Sequence, residues 1–224
     1  MFRISSRIAP LGIAALAALL LAARPALAGP PLLCHPFDIG SATSLPWDGT
    51  NSWFHGRADY NLQNLIGDTE ALLTPSTPVI VRMETLRRAA LYASQDERIA
   101  TQLLARLTER AKKAERAGTS PAADSMSLFD AGYLAETFRQ IGHLGQMPEF
   151  RTRAQPMKAL ADGAEGFALV SRSISLRPDD AGLQFAAALA IADRDRSAYQ
   201  HHASKARKGA AQDRLLARNL RHIS

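Results

Sequence analysis

A single cysteine, Cys34, stands in a chain of 224 residues, so neither an intramolecular disulfide framework nor a cysteine-based zinc cluster can be built. Aromatic residues are few, at 6%. His-Glu-x-x-His, Gly-x-Ser-x-Gly, a phosphate-cradling glycine loop and the Cys-x-x-Cys-His haem pattern do not occur, which removes the common sequence signatures of metalloprotease, hydrolase and nucleotide chemistry. No cofactor is expected. Beyond residue 28 no apolar run approaches the roughly 20 residues needed to cross a bilayer. What remains is 46% hydrophobic and 21% charged, within the ordinary globular range. The apolar share is carried by Ala and Leu more than by Val, Ile and Tyr, a bias towards helices packed through small side chains.

The first segment reads as a delivery signal. Arg3 and Arg7 precede an apolar stretch from Ile8 to Ala23, and Ala26-Leu27-Ala28 follows before Gly29. This is the pattern of a Sec-type signal peptide cleaved after Ala28, with export to the periplasm or the exterior as its consequence. Pro10 and the Arg24-Pro25 pair leave the core short for a membrane anchor. Leu33 before Cys34 does not suit lipoprotein processing. Without Arg3, Arg7 and Arg24 the mature chain holds 24 Lys and Arg against 21 Asp and Glu, a net charge of +3 in place of +6.

Residues 29–57 combine Pro30, Pro31, Pro36, Pro46 and several glycines with Phe37, Trp47, Trp53 and Phe54. Such a mixture breaks helices yet carries groups that favour burial, so an irregular arm laid over a folded body is expected. From residue 58 to 224 the period is helical. Helices are expected over Asn61–Leu73 and Val79–Ala93, the latter with Val79, Met83, Leu86 and Ala90 on one side and Arg82, Glu84, Arg87 and Arg88 mainly around the other. Ser94 with Glu97 reads as a capping box opening a helix that carries Ile99, Leu103, Leu107 and Ala111 and ends at Ala117-Gly118. Ser120-Pro121 starts another that runs to Gly142. Residues 145–156 read as a connector and a candidate sub-boundary. Four shorter helices follow, over Met157–Leu176, Asp180–Ala192, Asp195–Lys208 and Gln212–His222.

Successive amphipathic helices joined by short connectors suggest antiparallel pairs stacked as a short, all-α solenoid. The stretch Ala164–Ala210 resembles tetratricopeptide-type repeat material: Phe167, Val170 and Ile174, then Arg177-Pro178-Asp179-Asp180, then Leu183, Ala186, Ala187 and Leu189, with Ala198, His202 and Ala206 as the partner helix. It departs from that pattern at Gly166 and lacks the Trp, Leu-Gly and Tyr positions of the first helix. Leu33–Gly40 and Thr77–Arg88 are similar to segments of exported bacterial proteins of unassigned function. These resemblances imply a helical-repeat fold and an export route, and no activity.

Cys34 and His35 pair the two softest ligand types, but neighbours on an extended arm point to opposite sides. Cys34 reads as a small buried apolar residue, a free thiol that pairs with another chain, or a redox or metal group. His201 and His202, adjacent on a helix, stand about 100° apart and do not form an i, i+4 metal pair. Trp47 is a candidate anchor of the arm. From Ile191 to Ser224 eight Lys and Arg face three Asp, a basic C-terminus suited to an anionic polymer or lipid surface, or to a solvated face. Nucleic acid is not expected. The leading expectation is therefore an exported module that binds a protein or peptide, the alternative being an enzyme or accessory subunit using the arm around Cys34, His35 and Trp47.

Overall fold

In the computed structural model, residues 31–48, 52–118 and 120–223 are described. The expected leader, residues 1–28, lies outside them. The described residues contain helices and short 3-10 turns and no strand. The helices are α1 (Leu65–Leu72), α2 (Val79–Ala93), α3 (Glu97–Ala117), α4 (Pro121–Gly142), α5 (Ala154–Asp162), α6 (Gly166–Leu176), α7 (Ala181–Ile191), α8 (Arg196–Gly209) and α9 (Arg214–Asn219). Among them none is long and apolar enough to cross a membrane.

Local chemistry sets most of the boundaries. The Asp180, Asp195 and Asp213 side chains accept from backbone N–H groups at the starts of α7, α8 and α9, satisfying donors that a helix leaves open. Ser120 does the same for α4, with Pro121 at the first helical position. The capping box expected at Ser94 is displaced: Asp96 is the N-cap of α3, accepting from Arg98 and Ile99, while the Ser94 hydroxyl donates to the Leu91 carbonyl at the end of α2. Gly118, at φ 56°, closes α3 in the left-handed conformation that glycine adopts without strain. The single helix expected over Met157–Leu176 is two, α5 and α6, parted at Gly163-Ala164-Glu165.

The packing is centred on α4, which contacts α2, α3, α5, α6 and α7. Phe129, Phe138 and Leu134 of α4 are fully buried, and each such side chain contributes on the order of 2 kcal/mol. In α7 every residue after Ala181 is buried, as expected for the Ala- and Leu-rich run Leu183–Ile191. The side of α2 that carries Arg82, Glu84 and Arg87 is not solvent-facing: every α2 residue except Arg88 is buried. The reason is that irregular chain covers it. Leu32, Leu33 and Leu45 are 0% exposed and Phe37 3%. Further along, Trp53 stacks on Phe150 of the 145–156 connector at 5.7 Å.

Candidate functional site

Two regions stand out, the seam between arm and body and a groove on the opposite chemistry. The seam is organised by α2. Glu84 accepts from Arg87 at 2.8 and 2.9 Å and from Arg88 at 2.6 Å, and its second oxygen also accepts the Phe37 N–H at 3.0 Å. Arg87 donates to the carbonyls of Leu33 and Trp53, and Arg88 to that of Leu45. Gln140 of α4 accepts the Leu32 N–H at 2.8 Å. The Tyr92 hydroxyl donates to the Pro46 carbonyl and accepts from the Arg57 N–H. Asn219 of α9 both accepts from Asp38 N–H and donates to Asp38 carbonyl, at 2.9 Å each. The body thus holds the arm largely through main-chain groups, which an irregular segment would otherwise leave unsatisfied.

Burial alone would raise the Glu84 carboxyl, but the hydrogen bonds and charge of Arg87, with the charge of Arg88, outweigh it and hold the group below its ordinary value. A second buried ion cluster lies at the other end of α2, where Arg82 meets Asp130 at 2.6 Å and Arg110 reaches the same carboxylate at 2.7 Å.

Three of the sequence-predicted residues gather along this seam. Cys34 is half-buried, and burial pushes its thiol up to about 11 against a smaller opposing effect of Arg87, so it is protonated at neutral pH. His35 is exposed and its ring lies 5.7 Å from that of His222. Trp47 packs edge-on to Tyr92 and under the Arg87 guanidinium, 4.9 Å from its ring centre. His201 and His202 lie elsewhere, on α8, with rings 5.4 Å apart. His202 engages Gln184 at 2.7 Å, and its basicity is lowered by burial and by the nearby His201 and Lys205. Among the described residues no three His, Cys, Asp or Glu side chains are placed to hold a metal ion.

The seam also contains groups that periodicity could not single out. His222, on the last turn, packs against Phe37 and Phe185, and its Nε2 is buried with no hydrogen-bond partner among the described residues. Burial, with the charges of Arg221 and His35, lowers its pKa to about 4. The Tyr133 hydroxyl is likewise buried and unpartnered, and burial beside Glu84 raises it well above the ordinary tyrosine value.

The groove lies between α3 on one side and the α5–α6 corner on the other. It measures ≈ 590 Å³, with Leu104 and Ala105 on the α3 wall and Ala159, Leu160, Gly163 and Leu169 on the other. Such a volume falls in the ordinary range for binding clefts. Charged pairs line its edges, Lys112 with Glu109 at 2.8 Å and Arg172 with Glu115.

No family model matches this chain, and no curated protein or solved structure does.

Proposed function

We propose that the protein is an exported, repeat-like helical module that binds a partner protein by accepting one of its helical segments in the α3/α5–α6 groove. The observation that supports this is the groove itself, an open cleft whose lining surface is mainly apolar between polar and charged side chains. Small residues on both walls, Ala105, Ala159 and Gly163, leave room for a helix backbone to approach, while Leu104, Leu160 and Leu169 offer apolar contact. The ion pairs along the edges suit the polar flanks of an amphipathic helix, so the occupant would bear an apolar stripe at i, i+3, i+4 and i+7. Export rests on the leader pattern, and the repeat-like pairing on the resemblance of residues 164–210.

The alternative in which the arm serves catalysis asks Cys34 to act as a nucleophile or ligand. Only the thiolate does either, and a thiol pushed up to about 11 is a poor source of it.

Selection from a displayed library of amphipathic helical peptides provides the test. Selected peptides should show the apolar i, i+3, i+4, i+7 stripe, and they should lose at least about tenfold in affinity against an Ala105→Arg, Ala159→Arg variant, since one contact-scale loss of 1.4 kcal/mol is tenfold. Failure to select any binder, or binders indifferent to the filled groove, would overturn the assignment.

A further inference from the structure

Buried polar atoms are almost always hydrogen-bonded, so each exception calls for a reason. Among the described residues the exceptions are the Nε1 of Trp47, the hydroxyl of Tyr133 and the Nε2 of His222. They gather at one place. Trp47 belongs to the arm and packs on Arg87, His222 packs against Phe37 of the arm, and Tyr133 lies within the fields of Glu84 and Arg87. The least satisfied polar groups of the molecule are thus at the seam where the arm meets the body.

His222 is the one of the three that gains a charge in mild acid. Its ring lies 5.4 Å from that of Phe37 on the arm and 6.5 Å from that of Phe185 on α7. A proton added there needs an acceptor or water, and the neighbouring groups are mostly of its own sign. The arm brings His35, 5.7 Å away ring to ring, and the terminal turn brings Arg221. From α8, Arg207 donates to the adjacent Ile223 carbonyl. The α7 helix has no titratable side chain. Both carboxylates of this region are engaged. Glu84 of α2 already accepts from Arg87, Arg88 and the Phe37 N–H, and Asp38 accepts the Gly40 N–H and lies 3.5 Å from Arg218 of α9.

We propose that the arm is an acid-released strap: protonation of His222 drives its ring out from between Phe37 and Phe185, opens the clasp with the C-terminal turn, and frees residues 31–48 from α2 while the helical body stays folded. The contacts are coupled in a way that spreads the release. Glu84 holds the Phe37 N–H, its ion-pair partner Arg87 holds the Leu33 carbonyl and the Trp47 ring, and Arg88, on the same carboxylate, holds the Leu45 carbonyl. Losing Phe37 therefore loosens the next links along α2. The body keeps its own centre, since α4 packs on α2, α3, α5, α6 and α7 without the arm. Opening uncovers the side of α2 that carries Glu84, Arg87 and Arg88, where water can solvate the ion pair. The direction follows from linkage. A docked ring is held at about 4 and a released ring returns to the ordinary 6.5, so docking is complete above 6.5 and weakens as pH falls towards 4. This strap is independent of the α3/α5–α6 groove.

Amide hydrogen exchange tests it, on the chain from Gly29 onward, which contains every described residue. The reporters are the Leu32 and Phe37 amides, which donate to Gln140 and Glu84, with the amides of Leu183–Ile191 in α7 as the reference for the body. Each rate is divided by the intrinsic rate at the same pH. Between about pH 7 and about pH 5 the protection of the two arm amides should fall roughly 20-fold, the factor that linkage gives for this shift, while that of α7 changes less than about twofold. Glu84, held below 4.5, stays ionised over that range. In His222→Phe, which keeps a ring between Phe37 and Phe185, protection of the arm should change less than about threefold over the same range. Should that variant misfold by circular dichroism, His222→Gln is read instead, with the same expectation. Arm protection that does not change with pH in the parent, α7 protection that falls in step with it, or an equal fall in the folded variant would each overturn the strap.

Discussion

Arg87 divides its guanidinium among the two Glu84 oxygens and the carbonyls of Leu33 and Trp53. Both Arg87 and Glu84 side chains are 0% exposed. Removing charges from water costs several kcal/mol per ion, so the pair stabilises the fold only while its geometry is complete. Arg87→Met leaves the buried Glu84 with Arg88 and the Phe37 N–H as its donors and leaves arm carbonyls without one. It should cost about 3–5 kcal/mol, read from the urea midpoint at constant m-value. The double change Glu84→Leu, Arg87→Met removes the buried carboxylate as well, so it should cost less than the sum of the single changes. Additive costs would mean that the two side chains act separately. An Arg87→Met protein within about 1 kcal/mol of the parent, the range of an exposed pair, would mean that the seam is wetter than its burial implies.

At the scale of elements, the crossing of α4 and α6 depends on paired glycines. A Cβ on Gly132 would lie 2.6 Å from the Gly166 carbonyl oxygen and 2.9 Å from the Val170 nitrogen, and one on Gly166 would lie 3.2 Å from the Ala135 Cβ. The contacts of Gly132 are largely backbone and cannot swing aside, whereas those of Gly166 are side chains, the nearest being the Glu136 carboxylate at 2.7 Å. Gly132→Ala should therefore destabilise by about 1–3 kcal/mol through overpacking, even though alanine gains about 1 kcal/mol over glycine in a helix. Gly67 in α1 meets nothing within 4 Å, so Gly67→Ala should raise the melting temperature while Gly132→Ala lowers it, each by about 2–4 °C per kcal/mol. Opposite signs from one substitution type isolate the crossing as the cause. In the sequence Gly166 looks like a defect in a helix and a departure from a repeat, because the neighbour that requires it lies on α4. Capping residues such as Asp180 and Asp195 are legible because their partners are within three positions. The charged side of α2 is not legible, since what covers it is the Phe37 N–H, 47 residues away, and its neighbours on the arm. His222 escapes notice for the same reason, and the groove exists only where α3 meets a corner formed by a helix break.

On the scale of the whole molecule the two ends of the described chain are clasped together. Asp38 and Asn219, 181 positions apart, exchange two hydrogen bonds, and His222 fills the space between Phe37 and Phe185. This clasp should be acid-sensitive, with a sign fixed by the direction of each shift. His222 falls from an ordinary 6.5 to about 4 in the fold, through burial first and then through Arg221 and His35, with Glu84 opposing. The unfolded chain therefore takes up this proton more readily, and stability declines as pH falls from 6.5 towards 4 while remaining indifferent to this group above 6.5. Glu84 acts in a lower window: held below 4.5 in the fold, it stabilises above 4.5 and loses that contribution as pH falls through its folded value. His222→Phe keeps a ring between Phe37 and Phe185 and removes the proton. Its stability profile, from urea midpoints across the acid range, should be flatter than that of the parent between 6.5 and 4 and should retain the steeper fall attributed to Glu84 below 4.5. The ring resonances of His222 in the native protein should shift near pH 4. A titration at 6.5, or an unchanged slope in the phenylalanine variant, would place the acid sensitivity of the molecule outside the clasp.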